Sequence, residues 1–310
     1  MQHFWSLDKV LLHNTWLTIG SFDGVHLGHQ KIIREITAGA HQAGAPAVVL
    51  TFHPRPAVVI RGISGAVNLT MPDERAAVLE SLEVDYLITY PFNKQVAATS
   101  ARDFMQDLVN HLHIQQLWVG YDFALGRNRE GDIDKLRQLG ETFDYQLHVV
   151  TEVTINGEVI SSSRIRQLLA LGDVEQVIPM MGRPYQVTGT IVPGDQRGRM
   201  IGIPTANLQV AWEKIVPASG VYVCWARLGE RRYAAAVNIG IRPTFDGSGS
   251  DQHVEAHLLD FQADLYGQVL TLEFIERLRG EVRFPDVQTL IDQIHQDIDR
   301  TRQILTKPPK

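Results

Sequence analysis

Two histidines three residues apart, His26 and His29, lie in a glycine-bearing turn suited to binding a nucleoside triphosphate. The turn, Gly20 to His29, follows a short apolar run and precedes an amphipathic segment, so we expect it to join a strand to a helix. Amide groups and the positive end of a helix attract anions there, and glycine lets the backbone approach them closely. Both imidazoles can meet one phosphate chain, since residues i and i+3 share a helix face. Such donors would stabilise charge on the α-phosphate and on departing pyrophosphate, although paired histidines also occur as ordinary surface or core residues.

A second phosphate-binding element is predicted at Ile160 to Arg166, where a run of serines opens a helix. The hydroxyls of Ser162 and Ser163 and the guanidinium of Arg166 are suited to hold β- and γ-phosphates. Taken alone, a serine run before an arginine is typical of a helix N-cap with a solvated charge. Its occurrence together with the upstream histidines favours a shared nucleotide site.

The most specific stretch of the sequence is Val192 to Asn207. Its glycines, Gly194 and Gly198 among them, permit a loop that wraps phosphates, and Arg197 and Arg199 can balance their charge. The stretch has neither a Walker A pattern nor the protein-kinase glycine loop. A glycine-rich hairpin is the structural alternative.

Oxygen-bearing side chains follow this loop. In an extended segment Thr205 and Asn207 point to the same side, and their two hard oxygens suit magnesium already partly coordinated by ATP and water. Farther on, the alternation from His253 to Leu258 places Glu255 on one strand face with two histidines, where its carboxylate could accept the proton of an attacking primary alcohol. An incidental Thr-x-Asn triplet and a solvated strand face are the alternatives.

The elements that must position these residues fall into two groups. The first 180 residues alternate short apolar runs with amphipathic segments, a pattern typical of a parallel α/β sheet. The predicted strands are Thr15 to Ile19, Ala47 to Phe52, Tyr86 to Tyr90, Gln116 to Gly120 and Leu147 to Thr151, and the predicted helices include Pro72 to Glu83, Ser100 to His111, Asp132 to Leu139 and Ser163 to Leu171.

After Gly182 the sequence pattern changes to short runs of strand-forming residues separated by glycine and proline. This pattern predicts a small antiparallel barrel or sandwich. A helix from about Asp286 presents Leu290, Ile291, Ile294 and Ile298 on one face and is expected to dock on that barrel. We therefore predict two domains, residues 1–182 and 183–310.

The bulk composition narrows the function. Of 310 residues, 44% are hydrophobic and 21% charged, as in a packed globular protein, and the formal net charge is −6 without a basic stripe, which disfavours nucleic acid as a partner. The one cysteine, Cys224, excludes an internal disulfide. The first residues lack a signal-peptide pattern and no apolar run is long enough to cross a bilayer, so we expect a cytoplasmic protein without a membrane partner. The oligomeric state is not indicated.

Several motifs together resemble those of bacterial bifunctional riboflavin kinase/FAD synthetases. The first half resembles the nucleotidyltransferase superfamily through its His-x-Gly-His and Ser-Ser-x-x-Arg-like motifs, and the resemblance to the bifunctional family covers essentially the whole chain. It is carried by Phe22 to His29, Thr51 to Pro56, Val119 to Gly126, Gly202 to Asn207, Gly220 to Tyr222, Asn238 to Phe245 and Val254 to Phe261.

The resemblance implies a Rossmann-like nucleotidyltransferase domain and a six-stranded antiparallel barrel of the riboflavin kinase type. It implies that riboflavin is phosphorylated to FMN and FMN adenylylated to FAD, with ATP as co-substrate and Mg²⁺ as cofactor. In the first half, His26 and His29 would bind and activate ATP, and Asp122 would lie at the nucleotide or FMN site. The phosphates of ATP would be contacted by Phe22, Asp23, Gly24, Ser162, Ser163 and Arg166. In the second half, Thr205 and Asn207 would bind magnesium and ATP, and Glu255 would be the base acting on the ribityl 5′-hydroxyl.

Three residues depart from the family pattern. Ser21 stands where asparagine is usual, Arg55 replaces a histidine between two prolines, and Ser163 replaces a threonine. The first two favour, as an alternative, a riboflavin kinase with a weakened or inactive adenylyltransferase domain. A different adenylyltransferase, a fragment related to tRNA synthetases and a flavin-binding regulator without catalysis each fit part of the sequence pattern as well.

Overall fold

The computed structural model describes residues 1–194, 198, 201–243 and 250–306. Contacts divide the chain into two compact units, Met1–Ser162 and Ser163–Lys310. The first unit holds an α/β sheet and the second a closed β-barrel, as the sequence predicts.

The first unit is built on a six-stranded sheet in which all neighbouring strands are parallel. Its strand order is β1-β4-β3-β2-β5-β6. The strands are β1 (Gln2–Phe4), β2 (Thr15–Ile19), β3 (Ala47–His53), β4 (Tyr86–Pro91), β5 (Ile114–Gly120) and β6 (Gln146–Val150). Five of the six were predicted. The first, β1, is only three residues long, too short to show a period in the sequence.

Helices connect the strands from β2 to β6, as is usual for the crossovers of a parallel sheet. They are α1 (Leu27–Gln42), α2 (Pro56–Arg61), α3 (Pro72–Glu80), α4 (Lys94–Ala98), α5 (Ala101–Leu112) and α6 (Ile133–Phe143), and a small hairpin of β7 (Thr154–Ile155) and β8 (Glu158–Val159) follows β6. The helix expected after the histidine turn is α1, and its residues Ile33, Ile36 and Ala40 are fully buried.

The strand order places a binding crevice between β2 and β5. The chain runs from β2 to β3 on one side and reaches β5 on the other side, so the loops after β2 and β5 diverge at the carboxyl edge of the sheet. Ligands of open α/β sheets bind at such a switch point. The His26 turn follows β2 and Asp122 follows β5, and the fold therefore brings both to this crevice.

The second unit begins within α7 (Ser162–Leu171), which is followed by α8 (Val174–Met181). Its barrel closes in the order β10-β13-β12-β11-β14-β9, with every pair antiparallel. The strands are β9 (Tyr185–Val192), β10 (Ala206–Val210), β11 (Gly220–Leu228), β12 (Arg231–Pro243), β13 (Ser250–Leu258) and β14 (Val269–Arg279). Alternate residues such as Val237, Ile239, Val254 and Ala256 fill the interior, and the residues between them face outward.

The last helix, α9 (Val287–Leu305), docks on the outer face of the barrel. Asp286 caps its first turn by accepting a hydrogen bond from the Thr289 amide at 2.8 Å. Ile298 packs with Ile203 and Leu259, and Ile294 lies against the same cluster. The docking predicted from the apolar face of this helix is thus confirmed.

An ion pair also fixes this helix to the barrel. The buried carboxylate of Asp297 accepts hydrogen bonds from Arg279 at the end of β14, with Nε and Nη2 at 3.1 and 2.8 Å from Oδ2. Replacing Asp297 by alanine leaves the Arg279 guanidinium without its counter-ion and is expected to lower the free energy of unfolding by about 2 to 4 kcal/mol. Calorimetry of the full chain measures this loss in the barrel's transition. Asp299→Ala is the matched control, since that carboxylate is 71% exposed and 3.8 Å from Arg302, and an equal loss in both variants would contradict the expectation.

Candidate active sites

The turn between β2 and α1 has an unusual backbone that determines where its side chains point. Phe22, Gly24 and Val25 have φ values of 42°, 84° and 40°, so the chain coils tightly before the helix begins. Positive φ is uncommon for non-glycine residues and is strained for bulky or β-branched ones, and the surrounding contacts must hold it in place.

Asp23 supplies most of those contacts. Its carboxylate is 1% exposed, and Oδ1 accepts hydrogen bonds from the amides of Leu69 and Thr70 at 2.9 and 3.0 Å. Oδ2 lies 3.4 Å from Nε of Arg55. Arg75 is also buried beside Asp23; burial lowers the pKa of Arg75, and the Asp23 charge acts in the opposite direction. The sequence assigned Asp23 to ATP, and the structure turns its carboxylate inward, where it holds the turn against residues 69–70.

The two histidines stack face to face at the start of α1. Their ring centroids are 3.6 Å apart with 19° between the planes, and the edge of Phe22 contacts His29 with centroids 5.3 Å apart. His26 is the N-cap, and its Nδ1 accepts a long hydrogen bond, 3.4 Å, from the His29 amide. An accepting Nδ1 places the proton of the neutral His26 ring on Nε2, which is then a donor. Gly28 permits the stack, because a Cβ there would lie 3.1 Å from the His26 ring.

The second predicted phosphate element approaches this turn at Ser162. Its hydroxyl donates to the backbone carbonyl of Asp23 at 2.8 Å, and the carbonyl of Ile160 lies beside Gly28. The structure therefore brings Ser162 to the histidine turn. Ser163 and Arg166 follow on α7, with Arg166 one helical turn beyond Ser162, and both fall in the second compact unit. Their contact with phosphate stays a prediction.

Asp122 lies on the other side of the crevice. It is exposed after the end of β5, its carboxylate oxygen Oδ1 lies beside Gly120, and its carbonyl accepts a hydrogen bond from Arg129 at 2.8 Å. A cavity of about 320 Å³ opens there, lined by Tyr121, Asp122, Phe123, Ala124, Arg129, Asp132, Ile133 and Asp134. A hydrogen bond to Glu152 raises the pKa of the Tyr121 phenol. Sequence reasoning missed Arg129, because a turn arginine gives no signal until its partner carbonyl is known.

In the barrel, the strand register brings the predicted kinase residues together. Asn207 on β10 pairs directly with Glu255 on β13, so both side chains project from the same outer face. Thr205 Oγ1 donates to Glu255 Oε2 at 3.5 Å, and His253 Nε2 lies 2.8 Å from Oε1. That imidazole nitrogen is close enough to the carboxylate to form an ion pair when the ring is protonated.

Asn207 presents a buried acceptor at this site. The residue is 6% exposed, and its Oδ1 has no hydrogen-bond partner among the described residues. A buried acceptor without a partner is costly, so this oxygen is a candidate ligand atom for a bound group. The backbone of Gly194 packs on the amide, and a Cβ there would lie 2.1 Å from Nδ2.

The loop before β10 reaches the same place. A Cβ at Gly198 would lie 3.5 Å from Thr205 Oγ1, which puts the loop backbone beside this hydroxyl. His257 further fixes the approach to β10, since its Nδ1 lies 2.8 Å from the carbonyl of Pro204. Arg197 and Arg199, the predicted phosphate ligands of this loop, lie outside the described residues.

The close packing of Gly194 makes it a test of the Asn207 position. Gly194→Ala places a methyl group where the Asn207 amide stands, so the amide must move. We expect the riboflavin phosphorylation that the family resemblance implies to fall at least about tenfold, since a displaced ligand loses an interaction made in the transition state. FAD formation from supplied FMN, which the resemblance assigns to the first half of the chain, serves as the internal control in the same preparation. Unchanged phosphorylation would contradict the role of Asn207.

Comparisons with known proteins agree with this arrangement. Residues 8–164 match the family model described as FAD synthetase, and residues 181–305 match that described as riboflavin kinase. The bifunctional riboflavin kinase/FMN adenylyltransferase of Haemophilus influenzae is 34% identical over 94% of each chain, and that of Pseudomonas fluorescens is 35% identical over 93% of this chain and 92% of its own.

A solved structure has the same fold along nearly the whole length. It is a crystal structure of a macrolide-efflux protein, so named, from Streptococcus pneumoniae, with a TM-score of 0.87, 29% identity, and coverage of 97% of this chain and 98% of that one. Within the described part of the chain, every helix is too short or too polar to span a membrane.

Both halves of the chain thus match separate activities in their expected order. The chain belongs to the family of bifunctional riboflavin kinase/FMN adenylyltransferases, transferases that make FMN and FAD.

Proposed function

We propose that residues 183–310 phosphorylate riboflavin with Glu255 as the base, and that residues 1–182 adenylylate FMN at the His26 and His29 turn. The observation that carries the proposal is the juxtaposition in the barrel of Thr205, Asn207 and Glu255, three oxygen-bearing side chains joined by strand register and a 3.5 Å hydrogen bond. ATP, riboflavin and FMN are the small molecules it requires. The chain's one cysteine, Cys224, is free and buried, which suits a reducing compartment and supports a cytoplasmic location.

In the kinase reaction, the oxygen of the terminal ribityl hydroxyl bonds to the γ-phosphorus of ATP, and Glu255 accepts the proton of that hydroxyl. The bond from that phosphorus to the β–γ bridging oxygen breaks, and ADP leaves. Glu255 is suited to this role because it is partly exposed to the outer face and held from both sides by Thr205 and His253. General-base assistance of this kind contributes about 10² to 10⁴ in rate.

The donor set of the barrel site fits magnesium. Asn207 Oδ1, which has no hydrogen-bond partner in the described part of the chain, and the Thr205 hydroxyl are hard oxygen ligands. Mg²⁺ is commonly held by one or two protein oxygens together with phosphates and water. When bound, it would neutralise phosphate charge and orient the triphosphate. Thr205 and Asn207 would hold the ion, and the Glu255 carboxylate would act on the acceptor.

In the adenylyltransferase reaction, a phosphate oxygen of FMN bonds to the α-phosphorus of ATP and pyrophosphate leaves. The FMN phosphate is already ionised, so the protein has to position the two substrates and stabilise developing negative charge. The His26 Nε2–H and the His29 ring supply donors at the helix N-terminus for that charge. Ser162, Ser163 and Arg166 would hold the departing phosphates.

The two unusual residues of the first half are compatible with an intact turn. Arg55 donates to Asn68 Oδ1 and the Val67 carbonyl at 3.0 and 2.6 Å and pairs with Asp23, so it supports the segment on which the turn rests. The Ser21 carbonyl accepts a hydrogen bond from Thr51 at 3.0 Å. These contacts favour an active adenylyltransferase over a weakened one.

The test is to incubate the purified full chain with riboflavin and Mg-ATP and to separate the flavins by chromatography. We expect FMN to form first and FAD to follow, and FMN with ATP alone to give FAD and pyrophosphate. Accumulation of FMN without FAD would support a kinase with an inactive adenylyltransferase domain. Tight flavin binding without ATP turnover would overturn the proposal in favour of a regulator.

A further inference from the structure

A third polar side chain extends the row formed by Asn207 and Glu255. Asn238 on β12 pairs directly with Glu255, which pairs on its other side with Asn207. The three residues therefore stand on neighbouring strands, on the same outer face, with Glu255 in the middle. Neighbouring strands are about 4.8 Å apart, so the three side chains lie close enough to contact one small ligand.

A carboxylate enters this face beside Asn238. Gly240, two residues farther along β12, has no side chain, and a Cβ there would lie 3.1 Å from Glu281 Oε1 and 3.6 Å from Asn238 Nδ2. Gly240 pairs with His253, so Glu281 lies over the same strands as the proposed base. Glu281 comes from the segment after β14, and the missing side chain at position 240 gives its carboxylate room.

Asn238 and Glu281 are both exposed, and neither forms a hydrogen bond or ion pair with another described residue. Together they offer two carboxylate oxygens, an amide oxygen and an amide N–H₂ that the described part of the chain does not use. Such donors and acceptors match the secondary hydroxyls of a polyol.

The direction of phosphoryl transfer determines which substrate lies there. Attacking oxygen, phosphorus and leaving oxygen are roughly in line, so the acceptor's carbon chain must extend away from the triphosphate. In the proposed kinase site the triphosphate is bound on the side of Thr205 and Asn207, and the attacking hydroxyl is placed at Glu255. The remaining side of the row is that of Asn238 and Glu281.

We infer that Asn238 and Glu281 bind secondary hydroxyls of the acceptor's ribityl chain and so make the kinase selective for a flavin that carries a polyol. The inference rests on the proposed kinase site and adds the acceptor's subsite to it. A site built to hydrogen-bond hydroxyls rejects an analogue that lacks them more strongly than an apolar pocket would.

The test compares two acceptors, riboflavin and a flavin whose N10 chain is 5-hydroxypentyl, which keeps the terminal hydroxyl alone. For Asn238→Ala and for Glu281→Ala we expect the KM for riboflavin to rise about tenfold, with the KM for ATP unchanged. The 5-hydroxypentyl flavin should be a poorer acceptor for the unmodified chain and should lose little more in either variant. Glu281→Gln, which keeps one acceptor oxygen and the shape, should fall between.

Arg231→Ala is the matched control, an exposed residue at the far end of the same strand, and should leave both KM values unchanged. Asn238→Ser replaces the alanine variant if that one is unfolded by circular dichroism. An unchanged riboflavin KM, or an equal loss on both acceptors, would overturn the inference while leaving the kinase assignment intact. If the unmodified chain phosphorylates neither flavin, the proposed function itself fails.

Discussion

Glu255→Ala is expected to abolish the formation of FMN from riboflavin while FAD formation from supplied FMN survives. Removing the carboxylate takes away the group that accepts the hydroxyl proton, and a general base contributes about 10² to 10⁴ in rate. Thr205 and His253 lose a partner but remain on the barrel surface, so the binding of ATP should change little. The measurement is the initial rate of FMN release at saturating riboflavin and Mg-ATP, followed by the rate of FAD formation from FMN.

Two further variants sharpen this experiment. Glu255→Gln keeps the shape and the acceptor oxygen for Thr205, so a loss equal to that of the alanine variant assigns the effect to the missing charge and basicity. Glu230→Ala, in the exposed turn between β11 and β12, is the control for removing an acidic residue from the barrel. If FMN and FAD formation fell together in a folded Glu255→Ala chain, the picture of two independent sites would be wrong.

The elements of the fold were predictable wherever their apolar period was long enough to read. The alternation of Val237, Ile239, Val254 and Ala256 arises because every second residue fills the barrel, and α1 and α9 each carry a full apolar face. The short helices were not predicted. The helix α8 has eight residues with Pro179 inside, and α2 and α4 have six and five residues, too few for a helical period to be distinguished from chance.

The sequence predicted which residues belong to the candidate sites, but it did not predict the contacts that these residues make. The sequence placed Thr205, Asn207 and Glu255 on strands, but the register that sets Asn207 opposite Glu255 is a property of closure between distant strands. The same limit applies to Asp23, whose carboxylate was assigned to the nucleotide from its place in a motif. The amides of Leu69 and Thr70, which donate to it, are 46 and 47 residues away in the sequence, and no local sequence pattern predicts such a hydrogen bond.

The register also explains why Asn238 had no assigned role in the sequence. Asn238 lies in one of the stretches that resemble the family, but its proposed role depends on its pairing with Glu255, which is 17 positions later on another strand. Once Glu255 is fixed as the proposed base, strand pairing alone identifies Asn238 as the next polar group along the face. The pairing of neighbouring strands thus gives the spatial order of the motif residues: Asn207 on the phosphate-donor side, Glu255 as the base, and Asn238 on the acceptor side.

His29→Ala is expected to suppress pyrophosphate release from ATP and FMN about 10² to 10³-fold, as the loss of one transition-state donor does in comparable sites. The ring is held by the stack on His26 and by the edge of Phe22, so its removal also loosens the His26 ring that donates beside it. The backbone amide of residue 29 is retained, and the helix cap from His26 Nδ1 can persist. Riboflavin phosphorylation, measured in the same preparation, should be unaffected.

The control for this variant lies on the same helix. His41→Ala removes an imidazole in the last turn of α1, where its Nε2 lies 3.0 Å from Asp85, far along the helix from the turn. We expect His41→Ala to retain FAD synthesis, which would assign the loss in His29→Ala to the position of the ring and not to a weakened helix. Normal FAD synthesis by His29→Ala would refute the proposed role of the stacked pair, because the remaining donors at the helix N-terminus would then suffice for adenylyl transfer.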